Sequence, residues 1–135
     1  MNTYAITRYG RTTSAFGKTA GQAKYNEYLH SESGYTFGDW LKTIESCRLA
    51  HKFRPSDLFG DIECFNHMKQ QRDIDFAYMG MRVEVDGKPG VIVGSNMSLN
   101  LDVCSDGECW KSNCHPWWRV KYFDSNGNLV KEFKD

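Results

Sequence analysis

Residues 80–94 read Gly-Met-Arg-Val-Glu-Val-Asp-Gly-Lys-Pro-Gly-Val-Ile-Val-Gly. Met81, Val83 and Val85 alternate with Arg82 and Glu84, the period of a strand with one buried face. Asp86-Gly87 is a turn dipeptide, and Val91-Ile92-Val93 is the returning strand. Pro89 has no N–H to give a ladder, so Pro89-Gly90 is expected to shorten the pairing. Downstream the same period continues. Leu99, Leu101 and Val103 alternate with Asn100, Asp102 and Cys104 ahead of a turn at Asp106-Gly107. Trp118, Val120 and Tyr122 alternate with Arg119 and Lys121 ahead of Asn126-Gly127, the strongest hairpin signal in the chain. A two-residue loop there sets Lys121 opposite Glu132 and Val120 opposite Phe133. Trp118, Val120, Tyr122, Leu129 and Phe133 then share one face, which buries apolar groups and leaves opposite charges outside.

Upstream of Gly80 the period becomes helical. Thr19 with Gln22 has capping-box spacing and opens a segment carrying Tyr25, Tyr28 and Leu29, ended by Gly34. Thr36 caps a second segment, in which Phe37, Trp40, Leu41, Ile44 and Cys47 fall on one helical stripe. Pro55 breaks the pattern, and Ser56 caps a third helix using Leu58, Phe59, Ile62, Phe65 and Met68. Residues 1–26 hold Arg8, Arg11, Lys18 and Lys24 with no acid, interleaved with Tyr4, Tyr9, Phe16 and Tyr25. Glycines and hydroxyl residues between Arg8 and Lys18 argue against a regular element, so this stretch reads as a basic aromatic arm.

The string from Gly80 to Gly94 resembles the opening hairpin of SH3-like barrels of the KOW and Tudor kind, and the resemblance extends over residues 80–123. It implies a small antiparallel barrel interrupted by a cysteine-rich insertion after Val103. The expected fold is therefore α+β: a helical N-terminal half, residues 1–79, packed on a C-terminal SH3-like β-barrel, residues 80–135. In size and order of modules the whole chain is similar to small accessory proteins of phages and other mobile elements.

Composition narrows the classes. Seventeen Lys and Arg balance seventeen Asp and Glu in 135 residues, which is unlike a histone-type polycation. Eight Phe, seven Tyr and four Trp supply the area needed for a core. The start has no apolar export segment, and no run approaches membrane-spanning length, so a cytoplasmic protein with reduced thiols is expected.

No G-x-S-x-G, Walker A, H-E-x-x-H or G-x-G-x-x-G motif occurs, and no catalytic residue is assigned. Asp124-Ser-Asn-Gly-Asn128 has its glycine misplaced for a calcium loop and reads as a hairpin turn. The five cysteines, 47, 64, 104, 109 and 114, carry the sharpest chemistry. Cys47/His51 and Cys64/His67 are spaced to share a helical face, which allows an S2N2 zinc site or merely core and surface positions. Across an Asp106-Gly107 turn, Cys104 faces Cys109. Completed by Cys114 or His115, these would form a metal knuckle; a labile disulfide or free thiols are the other readings. No cofactor is expected unless it is zinc on Cys104, Cys109, Cys114 and His115.

Trp110 and Trp117 flank the insertion and fall outside the apolar face. Arg8 and Arg11 have no neighbouring acid in sequence. These four are the expected partner-binding residues. The expected function is a non-catalytic binding protein acting on a host protein or nucleoprotein complex. The mobile-element likeness makes inhibition of a host defence system, such as CRISPR, a natural role. The alternative is a nucleic-acid-binding regulator using the basic arm and aromatic rings, and a metal- or thiol-dependent enzyme is a third class.

Overall fold

The computed structural model describes all residues, 1–135, and they fall into two compact units, Met1–Phe53 and Arg54–Asp135. Both are built on antiparallel sheets: nine strands in all, with only three short α-helices. The expected helical half packed on a barrel is therefore wrong; the division into units falls after Phe53. No helix is long and apolar enough to cross a membrane.

The first unit begins with β1 (Asn2–Arg8) and β2 (Arg11–Gly17), a hairpin where the basic arm was expected. Tyr9 and Gly10 form its two-residue loop with φ of 49° and 74°, the left-handed pair that suits the twist of a tight hairpin. The X-Gly signal was present, but hydroxyl residues obscured it. On one face, Ile6 and Ala15 are buried, and they pack with Ala23 of α1 (Ala20–His30). Thr19 caps α1 as expected, its hydroxyl accepting the Gln22 N–H at 3.1 Å.

Thr36 likewise caps α2, but this helix stops at five residues, Phe37–Leu41. The chain continues as β3 (Ile44–His51), which pairs with β1 to give the order β2-β1-β3. The predicted stripe through Ile44 and Cys47 has a specific cause. Thr7 pairs with Ser46 and Arg8 with Ile44, so Glu45 is an extra, bulged residue. A bulge puts residues three apart on the same face of a strand, which imitates the helical period. Both Ile44 and Cys47 do pack against the Ile6 cluster.

In the second unit a 3-10 turn (Pro55–Leu58) precedes α3 (Ile62–Gln71). The predicted single helix capped by Ser56 is split at Gly60, whose N–H bonds the Val93 carbonyl instead, and Asp61 is the cap. The sheet runs β7-β6-β5-β4-β8-β9: β4 (Arg82–Val85), β5 (Lys88–Ser95), β6 (Leu101–Ser105), β7 (Ser112–Cys114), β8 (Val120–Phe123) and β9 (Leu129–Phe133). The edge strands β7 and β9 do not pair with each other, so the sheet stays open. Its inner face carries Val83, Ile92, Leu101, Val103, Val120 and Tyr122, and it is covered by Phe65 and Met68 of α3 with Ile74, Ala77 and Met81. Each such side chain, fully buried, is worth about 1.5–3 kcal/mol to this unit.

The β4–β5 hairpin forms at Asp86-Gly87 as read, but Pro89 does not shorten it. The ladder from Arg82↔Val91 to Val85↔Lys88 runs past it, and Pro89 accepts a bond from Asp106 N–H on the other side. Lys121 does face Glu132, and Val120 faces Phe133. The loop has three residues, however, with Asp124 N–H bonded to Asn128 O, and Val130 is a bulged residue after Leu129. That bulge moves Leu129 opposite Phe123, off the Phe133 face and into solvent. Trp118 also leaves the core face, because Arg119 has φ 52° and strand pairing starts only at Val120.

Candidate functional site

The cysteines do not converge. No three His, Cys, Asp or Glu side chains are grouped so as to hold a metal ion, and all five cysteines are free thiols. Asp106-Gly107 does turn the chain, with Glu108 N–H bonded to Ser105 O at 3.0 Å. The ladder beyond is offset, though: Leu101 pairs with Cys114 and Val103 with Ser112, so Cys104 does not face Cys109. The intervening residues fold over Cys104, whose thiol is buried and donates to the Glu108 carbonyl at 3.3 Å. Burial raises the Cys104 pKa, with the Glu108 charge adding to it. Cys114 packs against the inner core, and burial with the nearby Asp102 charge pushes its thiol up to about 12. Such thiols stay protonated at neutral pH and are poor nucleophiles. His115 uses Nδ1 to accept the Trp117 backbone N–H at 3.1 Å. Cys47 pairs with Ile6 and His51 with Thr3, on opposite faces of the first sheet, so that pair is separated too.

The tryptophans have a different character. Trp110 is 51% exposed, Trp117 43% and Trp118 47%, all on one segment of the second unit. Two of them, Trp117 and Trp118, are held in place. The Trp117 indole N–H donates to the Arg72 carbonyl at 2.9 Å, and the Arg72 guanidinium lies 5.5 Å from its ring centre. Arg72 is itself fixed by the Leu99 carbonyl at 2.8 Å and the Ser98 carbonyl at 3.3 Å. Beside Trp117, a cavity of about 290 Å³ is lined by Arg72, Asp73, Phe76, Lys131 and Phe133. Arg119 lies over Trp118 at 5.1 Å while it is ion-paired with Asp86 and Asp135. Trp118 and Phe76 are the site residues that alternation along the sequence missed, because a positive φ and a loop place them.

In the first unit Arg8 and Arg11 come together directly opposite each other on one strand pair. Sequence reading treated both as free, and this holds for Arg11 alone. The Arg8 Nε donates to Thr43 Oγ1 at 2.6 Å, and its guanidinium sits 4.8 Å from the buried Trp40 ring and 5.5 Å from Tyr9. Neither arginine is in an ion pair; Glu27 Oε1 accepts from Thr13, and Glu45 Oε1 accepts the Gly10 N–H. Tyr9 is 68% exposed in a left-handed conformation that costs a non-glycine residue about 1–2 kcal/mol. A side-chain hydrogen bond with Tyr35 raises the Tyr9 hydroxyl pKa above its ordinary value.

The 53/54 division also reveals a charge asymmetry that a boundary at 79/80 hides. The first unit carries seven Lys and Arg against four Asp and Glu, and the second carries ten against thirteen, so they are +3 and −3. No family model, curated protein or solved structure matches the chain.

Proposed function

We propose that the chain is a non-catalytic binding protein whose second unit engages a protein, free or within a nucleoprotein complex, through the Trp110–Trp118 segment. The observation that supports this reading is the combination of exposure and fixation at Trp117. A large ring held at 43% exposure by a hydrogen bond and a stacked, doubly anchored arginine loses little further entropy on binding. Ordered, exposed tryptophan beside arginine is what dominates protein interfaces. In the mobile-element setting that the chain's size resembles, the partner is a host protein, and a defence complex is the natural target.

The test is capture from nuclease-treated host extract, comparing the wild-type chain with Trp110→Ala/Trp117→Ala. A defined protein retained by the wild type and lost by at least about tenfold in the double variant supports the reading, since such anchors are worth about 2 kcal/mol or more. Equal retention by the two chains overturns it.

A further inference from the structure

We propose that the tip of the β1–β2 hairpin, Arg8-Tyr9-Gly10-Arg11, is a site for single-stranded nucleic acid. In it Tyr9 stacks on a base while Arg8 and Arg11 hold the adjoining phosphates. The site lies in the first unit and stands apart from the tryptophan reading of the second.

Three observations carry it. Tyr9 occupies the first loop position of a tight hairpin, where Asn, Asp and Gly are the residues that fit. Its ring contributes nothing to the Ile6–Ala15–Ala23 core and is mostly in solvent, touching only the Tyr35 hydroxyl and the Arg8 guanidinium. Next, Arg8 and Arg11 are cross-strand partners with no carboxylate paired to either. Like charges directly opposed work against the hairpin, and an anion between them reverses the sign. The two nearby carboxylates, Glu27 and Glu45, are engaged in holding Thr13 and the Gly10 N–H. Finally, Arg8 is aimed. Its Nε is tied to Thr43, and its plane rests on Trp40, which leaves its terminal nitrogens with no acceptor in the protein. A pre-oriented guanidinium fork is the donor that phosphate oxygens fit best.

Around these groups lies a cavity of about 500 Å³ bounded by Arg8, Tyr9, Arg11, Thr13 and Glu27. Arg8 lies beside both the Trp40 and the Tyr9 rings, and the rest of the Tyr9 ring is open. A base can extend that stack only if it is unpaired, which selects a single strand over a duplex. The unit's net charge of +3 favours the approach of a polyanion.

The experiment is fluorescence anisotropy with the full-length chain. The probes are labelled oligothymidylate and oligouridylate of about 12 nucleotides, a length that spans one small site, and a duplex of equal length. Titrations run at about 50 and about 200 mM salt. A single strand is expected to bind more tightly than the duplex. Tyr9→Asn is expected to weaken binding about tenfold, in line with the loss of one stacked base, at an unchanged or higher melting temperature. Arg11→Gln is expected to weaken binding and reduce the salt slope by about 0.7. Lys88→Gln, on the second unit, is expected to change neither. Absence of binding at low salt, binding undiminished in Tyr9→Asn, or a duplex bound as tightly as the single strand would overturn the proposal. Should Tyr9→Asn lower the melting temperature, Tyr9→Trp decides: retained affinity supports stacking, and lost affinity refutes it.

Discussion

Cys114 shows how one residue's surroundings set its chemistry. Sequence spacing placed it among metal-binding candidates, yet its partner in the ladder is Leu101, and its thiol is pushed up to about 12. An unfolded thiol titrates near its ordinary value of 9.0, so the folded state favours the protonated form. The sign follows: the stabilisation is complete below about pH 8, where both forms are protonated, and it declines as pH rises from 9 toward 12. Alkylation by iodoacetamide followed by mass spectrometry is expected to modify Cys109 first. Cys114 is expected to resist up to pH 9 in the native chain and to react at the rate of the others in denaturant. Rapid native modification of Cys114 at pH 7 would contradict its burial.

At the level of elements, backbone approach decides what composition leaves open. Gly90 lies between β4 and β6, and a methyl group there would meet the Cys104 carbonyl at 2.6 Å and the Ser105 Cα at 3.0 Å. Neither is a flexible side chain that could move aside. Gly90→Ala is therefore expected to lower stability by about 2 kcal/mol or more, read as a shift in urea midpoint at constant slope. A change within about 0.5 kcal/mol would mean that the strands part easily. The elements also show where the sequence was legible. Asp86-Gly87 fixes its hairpin because both residues adopt positive φ, and Thr19 and Thr36 cap their helices because a hydroxyl meets an orphan N–H. The bulges at Glu45 and Val130 were not legible. A bulge is chosen by what the neighbouring strand offers, and β1 is remote in sequence from β3.

For the whole molecule, two separate buried clusters, around Ile6 and around Phe65, imply two units that lose structure separately. Ile6→Ala removes a fully buried side chain and is expected to cost about 2–5 kcal/mol. Hydrogen exchange is expected to show lost amide protection across Met1–Phe53 with protection kept in β4, β5 and β8. Uniform loss along the chain would show one cooperative unit instead. The sequence by itself determined the strands β4, β5, β6 and β8, the Lys121–Glu132 register, the first turns of both N-terminal helices and the exposure of Trp110 and Trp117. Each depends on alternation, turn chemistry or capping within a few residues. Only the tertiary structure decided that Arg8 and Arg11 face each other, that the Cys47 stripe is a bulged strand, and that α3 belongs with the second sheet. It also decided that the cysteines separate. Those outcomes depend on which distant strand supplies the missing hydrogen bonds and which face finds cover, and no local pattern records either.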